Sequence, residues 1–466
     1  MVRLPLTALS AVSPLDGRYF DRVSLLSPFV SESALIKTRI EIEAKYLIAL
    51  SVIGLVRPLT VGESKKLRHL GQAMTEEQII QVKEIEETTR HDVKAMERAM
   101  RLFLTGTSLE EVIEMIHFGL TSEDINNLSY RLMLQRATRV VCFPKLMEVV
   151  EELSRLAKQY RSLPMLARTH GQAAIPTTLG KELANFASRL SMQASKLQKV
   201  LLTGKLNGAV GNYNALVYVA PKIDWRQFSE KFVHSLGLEP VLMSTQINYP
   251  DDMIELFQTY ERVNNVLINI NSDMWRYISD GWFVQEMKKG EVGSSTMPQK
   301  VNPIDFENSK GNAEVANGMF EGLARQLSVS WLQRDLSGST TIRNLGVPLA
   351  HSLLAYQSLL TGLSRVTADQ QSIHEALYKN WNILGEGVQT LLRKEGVADP
   401  YSLVASLTKG EQIDSKAWRK WVLGLKQKPN VTKKLLALTP DTYIGLAREL
   451  VDLTLLNIKK SRRSGI

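Results

Sequence analysis

The chain has 466 residues, 44% of them hydrophobic and 23% charged, which is typical of a globular protein with two or three domains. Its single cysteine, Cys142, excludes an intramolecular disulfide, and the lack of both a signal-peptide core and an apolar run of about 18 residues predicts a cytoplasmic protein without a membrane span. The formal net charge is +9, and the basic residues are mostly interleaved with acidic ones except at 459–463. We therefore expect an anionic small molecule as partner, and neither nucleic acid nor a membrane.

The first part of the chain is mostly helical in its periodicity, from about residue 31 onward. Before it, the segment from Asp16 to Tyr19 reads as a turn that projects a guanidinium and a phenol, groups that can hold phosphate; a plain surface turn is the alternative. Thr89, three residues before Asp92, is interpreted as a helix cap. His91 then lies in the first helical turn, where it can donate to an anion or simply face solvent.

A second helix start follows at residues 117–127, which read HFGLTSEDINN. Thr121 is predicted to cap this helix, and Glu123 and Asp124 occupy its first turn. The backbone amides there, with the hydroxyls of Thr121 and Ser122, form a plausible cradle for a carboxylate or phosphate. A capping box without a ligand is the alternative.

His170 lies in a short polar run, residues 168–172, that separates two long helical patterns. The second of these patterns is predicted to begin at Pro176. A histidine at such a junction titrates near neutrality and can act as a general acid, or it can be a structural residue with a hydrogen-bond partner. The glycine-rich segment 204–214 lacks the Lys-Ser/Thr ending of a phosphate-binding P-loop.

A long helix is predicted from about Pro250 to Trp282, after an irregular stretch that contains Gln246, and it leads into residues 290–308, GEVGSSTMPQKVNPIDFEN. Glycines, two prolines and paired serines predict a movable loop that brings hydroxyl, ammonium and amide groups together. Asn302 and Pro303 read as the cap and first position of the next helix. A solvated surface loop between two helices is the alternative.

Arg334, Ser339 and Arg343 follow that helix, and two guanidinium forks with a hydroxyl can hold a phosphate. The long helices have wide apolar faces and strand signals are few, so we predict an all-α fold built on a helical bundle. Faces this wide are also expected to bury against neighbouring subunits.

Together these motifs resemble the fumarase and aspartase superfamily of lyases, whose serine-loop signature Gly-Ser-Ser-x-Met-Pro-x-Lys-x-Asn-Pro is matched by residues 293–303. Over essentially the whole chain the sequence is most similar to the long bacterial form of the adenylosuccinate lyase family. That similarity rests on the segments at 16–19, 90–93, 121–127, 169–172, 207–214 and 334–344 and on the serine loop extended through IDFEN.

The resemblance implies an all-α, three-domain subunit. Its domains would be an N-terminal helical domain at 1–115, a central long-helix domain with the serine loop at 116–365, and a small C-terminal helical domain at 366–466. It further implies a homotetramer whose central helices form one shared bundle, with each active site built from three subunits.

The implied reaction is β-elimination of fumarate from adenylosuccinate, giving AMP, and from the succinylated aminoimidazole carboxamide ribotide. The resemblance assigns Ser294 as the base and His170 as the general acid, with no metal and no organic cofactor. The implied substrate-binding residues are Arg18, Tyr19, Arg90, His91, Asp92, Thr121, Ser122, Thr169, Gln246, Ser295, Lys300, Asn302, Asn308, Arg334, Ser339 and Arg343. Among them, Lys300, Asn302, Thr121, Ser122 and Gln246 would surround the fumarate end.

Two alternatives remain open at the level of sequence. Gln299 stands where many adenylosuccinate lyases have histidine and where argininosuccinate lyases have glutamine, so another lyase of the superfamily is the first. The basic set at Arg18, Arg334 and Arg343 favours a nucleotide. The second alternative is a catalytically silent helical protein of the same fold, which the joint presence of His170, Ser294, Lys300 and Asn302 disfavours.

Overall fold

The structure is a computed structural model that describes residues 7–287, 290, 293, 296–408 and 413–463. In chain order its α-helices are α1 (Phe20–Val23), α2 (Ser27–Val30), α3 (Glu32–Val52), α4 (Val61–Leu70), α5 (Glu76–Thr89), α6 (Asp92–Leu104), α7 (Ser122–Ala137), α8 (Phe143–Gln159), α9 (Leu179–Lys199), α10 (Asn214–Val219), α11 (Trp225–Ser235), α12 (Asp251–Ser279), α13 (Ile304–Leu327), α14 (Ser337–Ile342), α15 (Gly346–Ser364), α16 (Gln370–Tyr378), α17 (Gly385–Lys394), α18 (Pro400–Thr408), α19 (Ser415–Gly424), α20 (Pro429–Ala437) and α21 (Ala447–Arg463).

In the described residues, short strands form three separate pairs. The strands are β1 (Pro164–Thr169), β2 (Gln172–Thr178), β3 (Thr203–Gly204), β4 (Glu239–Pro240), β5 (Phe283–Gln285) and β6 (Val366–Ala368). β1 with β2 and β5 with β6 are antiparallel, whereas β3 with β4 is parallel. Helices dominate throughout the part of the chain that the structure describes, so the predicted all-α fold class is confirmed.

The chain folds into two compact units, each built from several separate segments. Unit 1 comprises Met1–Lys145, Lys196–Asn264 and Asn312–Leu354, and unit 2 comprises Leu146–Ser195, Asn265–Gly311 and Ala355–Ile466. The division into three domains with boundaries near residues 115 and 365 stays a prediction. In the described ranges no helix combines the length and the apolar character that a membrane crossing requires.

The core of unit 1 forms around α3, whose residues Ile40 and Leu47 are fully buried. Ser31 caps this helix by accepting a hydrogen bond from the Ala34 amide. α3 packs against α4, α6 and α7, and Tyr46 meets the ring of Phe228 edge-on with 5.9 Å between centroids. This packing fixes the starts of α6 and α7, which carry two of the predicted binding motifs.

Unit 2 contains the hairpin of β1 and β2 and the β5–β6 pair. The Ala368 amide of β6 donates to the Tyr160 hydroxyl over 3.2 Å, and the Tyr160 ring meets Phe283 of β5 edge-on. These contacts join the β5–β6 pair to the chain segment just after α8, which also leads into β1.

The structure differs from the sequence-based predictions at three helix starts. Helix α6 is capped by His91, whose Nδ1 accepts from the Lys94 amide, while Thr89 ends the preceding helix. Pro176 lies within β2, and helix α9 begins only at Leu179, because residues 164–178 pair with each other as a hairpin. α13 begins at Ile304, one residue later than Pro303.

Candidate active site

Unit 1 contains a cavity of about 450 Å³. Its wall includes the starts of α6 and α7, the segment that includes α14, the residues around the start of α12, and a residue of α3. The sequence-predicted residues among those that line it are Arg90, His91, Asp92, Ser122, Arg334, Ser339 and Arg343. The structure therefore brings together predicted binding residues from three separate stretches of sequence.

The start of α7 is held by a buried carboxylate. Asp124 accepts from the Thr121 amide over 2.9 Å to complete the capping box that the sequence predicts. Its other carboxylate oxygen accepts from the amide of Asn207 over 3.0 Å, and the amide of Gly208 also donates to Asp124. The glycine-rich segment thus supports the first turn of α7, where Ser122 faces the cavity.

Arg343 is held at the cavity by two carboxylates. It donates to Asp92 over 2.8 Å and to Glu32 over 3.1 Å. The same Asp92 oxygen accepts from Arg39 over 2.7 Å. Burial on its own would raise the pKa of Asp92, but Arg39, the Val93 amide and Arg343 outweigh burial and lower that pKa to about 2. Asp92 therefore stays ionised at neutral pH.

Arg334 makes a second polar cluster on the cavity wall. It donates to the Ser339 hydroxyl over 2.9 Å and to the Gln246 side chain over 3.3 Å, and it lies 3.4 Å from a carboxylate oxygen of Glu123. Burial raises the pKa of Glu123, and the nearby Arg334 opposes that shift. The guanidinium groups of Arg334 and Arg343 are thus held in place by carboxylates, and both lie on the cavity wall, where an anion can contact them.

His91 presents one ring nitrogen to the cavity. Since Nδ1 accepts from the Lys94 amide, the neutral ring carries its proton on Nε2. Nε2 lies 3.5 Å from the Ser122 hydroxyl, and the side chain is 52% exposed. His91 can therefore donate a hydrogen bond to a ligand while it caps α6.

Some predicted residues of unit 1 lie outside the cavity lining. Arg18 lies over the ring of Tyr19 at 5.9 Å, and neither belongs to the lining residues. Thr121 serves as the cap of α7. Gln246 reaches the cavity through its hydrogen bond with Arg334 and donates to the carbonyl of Ala209.

Thr169 and His170 belong to unit 2, at the turn between β1 and β2. Thr169 pairs with Gln172, and His170 is exposed with a φ of 53°. Gly171 follows with a φ of 76°, a backbone conformation that suits glycine. The hairpin therefore presents the imidazole at its tip rather than at a junction between helices.

The serine loop is described in part. Ser294 and Ser295 lie outside the described residues. Gly293 approaches the backbone of Lys300 so closely that a Cβ at this position would lie 2.4 Å from the Lys300 carbonyl oxygen, and the loop therefore requires glycine there.

The second half of this loop segment is held by contacts within unit 2. The Gln285 side chain donates to the carbonyl of Val301 over 3.0 Å, which fixes the backbone between Lys300 and Asn302. Lys300 is exposed and Asn302 is half-buried. On α13, the Asn308 side chain accepts from the Ser358 hydroxyl over 2.7 Å.

Sequence reasoning missed several cavity residues. Glu123, Asn126 and Arg131 line the cavity from one face of α7, and their helical spacing after Ser122 was the available signal. Arg39 also lines the cavity, from α3, and it is 1% exposed. Nothing in the sequence around Arg39 distinguishes it from a surface arginine.

Comparison with known proteins gives the class first. A family model described as "Lyase" matches residues 17–318, and one described as "Adenylosuccinate lyase C-terminal" matches residues 330–444. In fold, the chain is similar to a fumarate lyase from Mesorhizobium sp. BNC1, with a TM-score of 0.74 at 17% identity over 93% of this chain and 97% of that one. It is also similar to a 3-carboxy-cis,cis-muconate lactonizing enzyme from Pseudomonas putida, with a TM-score of 0.73 at 19% identity over 95% and 99% of the two chains. The fold and the family match define a lyase.

Full-length relatives then give the family. The chain is 43% identical to the adenylosuccinate lyase of Escherichia coli K12 over 96% of its own length and 99% of that protein. Its identity is 43% to the Haemophilus influenzae enzyme of the same name, with the same coverage, and 42% to that of Dictyostelium discoideum over 95% and 98% of the two chains. The chain belongs to the adenylosuccinate lyase family, which confirms the family predicted from its motifs. It is accordingly a carbon–nitrogen lyase.

Proposed function

We propose that the protein eliminates fumarate from adenylosuccinate to give AMP, and from the succinylated aminoimidazole carboxamide ribotide to give the free ribotide. The observation that carries this proposal is the presence of both Arg334 and Arg343 on the wall of one cavity, with Ser339 hydrogen-bonded to Arg334. Both substrates contain a ribose 5′-phosphate, and charge-assisted bonds from guanidinium forks suit a phosphate dianion. An argininosuccinate lyase would have no phosphate to bind at this position.

The chemical step removes a proton from a carbon next to a carboxylate. The resulting carbanion places a second negative charge on that carboxylate, so its stabilisation dominates the barrier. We assign this task to Lys300 and Asn302, with the hydroxyls of Thr121 and Ser122 and the amide of Gln246. A cationic and donor-rich site of this kind is most effective when the serine loop closes and excludes water.

Ser294 is the proposed base and His170 the proposed acid. Ser294 starts as an alkoxide stabilised by the Lys300 ammonium and takes the proton from carbon. The carbon–nitrogen bond breaks, and His170 gives a proton to the departing nitrogen. Fumarate and AMP leave, Ser294 loses its proton and His170 regains one from solvent, so the enzyme returns to its starting state. The exposure of His170 at a hairpin tip supports this role, since the imidazole can reach a substrate and exchange protons with water.

The proposed assembly is a cytoplasmic homotetramer with active sites shared between subunits. The position of Arg18 and Tyr19 outside the cavity lining supports sharing, because a neighbouring subunit can then supply them. Exposed apolar side chains such as Trp331 and Leu332, which precede the cavity segment, and Leu336, which lines the cavity, also support burial against another subunit. Sedimentation equilibrium should give a mass near four times 52.3 kDa, and a monomer would contradict this assembly.

The decisive experiment follows the loss of the succinyl-purine absorbance of adenylosuccinate with wild type, Ser294→Ala and His170→Ala. Removal of either group is expected to lower kcat by about 10²-fold or more, with AMP binding retained. Ser295→Ala is the matched comparison and should keep most of kcat, since Ser295 is predicted to bind substrate and not to act as the base. Cleavage of argininosuccinate but not adenylosuccinate would overturn the proposed substrate, and an active Ser294→Ala beside an inactive Ser295→Ala would overturn the proposed base.

A further inference from the structure

Arg39 is a fully buried guanidinium without a role in the reaction proposed above. It is 1% exposed, lies in the middle of α3, and contributes to the cavity wall. Its Nε donates to the side-chain oxygen of Asn126 over 2.9 Å, and one terminal nitrogen donates to Asp92 over 2.7 Å. A buried arginine is costly unless its donors are paired in this way.

Asp92 connects Arg39 to Arg343. Its Oδ2 accepts from both guanidinium groups, at 2.7 Å and 2.8 Å, while its Oδ1 accepts from the Val93 amide. The carboxylate is thus held by the buried Arg39 and by the Val93 amide, and it also pairs with Arg343, which is 41% exposed and donates to Glu32 as well. The three charged side chains form one connected ion-pair network in unit 1, and all three belong to the cavity lining.

We infer that Arg39 is a positioning residue: acting through Asp92, it sets where the guanidinium of Arg343 lies in the cavity. This inference rests on the proposed function, since it assumes that Arg343 holds the substrate phosphate. With Arg39 in place, Asp92 is shared between two cations and fixed in direction. Without it, Arg343 is the one arginine among the described residues that still pairs with the partly buried Asp92, and Arg343 is then less available to a phosphate.

Arg39 also connects α3 to the helix that carries Ser122. Asn126 lies one turn after Ser122 on α7, and Arg39 donates to its side chain. The same buried guanidinium therefore fixes the start of α6, through Asp92, relative to the first turns of α7. These two helix starts supply His91 and Ser122 to the cavity wall. An effect of Arg39 through these helix starts would persist without Arg343, and this distinguishes it from the inferred effect through Asp92.

The test is a double-mutant cycle between Arg39→Met and Arg343→Gln, measured by adenylosuccinate cleavage with the full chain. Arg39→Met is expected to raise KM about tenfold or more and to change kcat far less, because a ground-state phosphate contact is weakened. In the Arg343→Gln background, Arg39→Met should change KM by no more than about twofold. A KM effect of the same size in both backgrounds, or none in either, would overturn the inference.

Arg39→Lys covers the case in which Arg39→Met does not fold. Lysine keeps the charge beside Asp92 and loses the fork that also reaches Asn126, so a smaller rise in KM is expected, again absent in the Arg343→Gln background. Unchanged KM in Arg39→Lys with a KM rise in Arg39→Met would still support action through Asp92, whereas a pure loss of kcat in both would contradict it.

Arg136→Met is the matched control for stability. Arg136 makes two hydrogen bonds to Glu41, at 2.9 Å and 2.8 Å, and so also joins α7 to α3, but it does not line the cavity. This variant is expected to lower the melting temperature with an unchanged KM. If it raised KM as much as Arg39→Met does, the effect of Arg39 would be general destabilisation. A wild type that fails to cleave adenylosuccinate would contradict the proposed function itself. A double-mutant cycle without coupling between Arg39 and Arg343 would contradict only the inferred role of Arg39.

Discussion

The ammonium of Lys205 lies 3.1 Å from a carboxylate oxygen of Asp124, and both side chains are completely buried in unit 1. Lys205 also donates to the carbonyl of Gly208 over 2.8 Å. Asp124 accepts from the amide of Asn207 in the glycine-rich segment and from the amide of Thr121 at the start of α7. The ion pair therefore joins the glycine-rich segment to the start of α7, a contact that neither the lysine nor the aspartate predicts from the sequence alone.

Asp124→Asn should destabilise the protein strongly, because it leaves the buried ammonium of Lys205 without its counter-ion. The expected loss in the free energy of unfolding is about 3–5 kcal/mol. Urea unfolding at a fixed protein concentration measures it. The double variant Asp124→Asn with Lys205→Met should lose less than the sum of the two single variants, since neither charge remains. Strict additivity would show that the two groups do not interact.

Arg334→Ala should raise the KM for adenylosuccinate about tenfold to a hundredfold with a smaller effect on kcat, because charge-assisted hydrogen bonds to the phosphate are lost. Arg155→Ala is the control, since Arg155 pairs with Glu152 on the surface of α8 and has no part in the cavity. Steady-state kinetics at constant ionic strength gives both constants. An unchanged KM would remove Arg334 from the phosphate site.

His117 should make stability depend on pH. Burial would lower the pKa of His117, but its hydrogen bond and charge interaction with buried Glu43 outweigh burial and raise that pKa above the ordinary value of 6.5. The raised pKa in the folded protein gives a stabilisation that is fully present below pH 6.5 and is lost as the pH rises through the folded-state pKa. Its size is about 1.4 kcal/mol for each pH unit that separates the folded and unfolded pKa values.

The measurement is the free energy of unfolding from pH 6 to pH 9, in wild type and in Glu43→Gln. The wild type should lose stability over this range through His117, and the loss should be smaller in Glu43→Gln because the carboxylate that raises the pKa is gone. Glu97 and Asp124 still act on His117 in that variant, so some pH dependence remains. An identical pH profile in both proteins would contradict this account of the pair.

Cys142 should be unreactive in the folded protein. Burial raises the pKa of its thiol from 9.0 to about 12, which lowers the thiolate fraction near pH 8 by about a thousandfold. Iodoacetamide is therefore expected to label the chain only after unfolding in urea. The urea-unfolded protein is the positive control, and rapid labelling under native conditions would show that this part of unit 1 opens readily.

The sequence by itself determined the local features of the fold and of the site. The periodicity of α12, the capping box of Thr121 and Asp124, and the serine-loop signature are each formed by residues close together in the chain. Short-range hydrogen bonds and side-chain spacing govern such features, and they leave a direct pattern in the sequence. For the same reason the signature was sufficient to indicate the family.

Only the tertiary structure decided how distant residues combine. His170 lies in a hairpin because residues 164–178 pair with each other, and this pairing overrides a helical start at Pro176. Arg39 joins Asp92 across 53 positions, and Arg343 joins the same carboxylate across 251. The charge network of the cavity is therefore a product of packing, because ion pairs over such separations depend on which helix faces meet and leave no local pattern in the sequence.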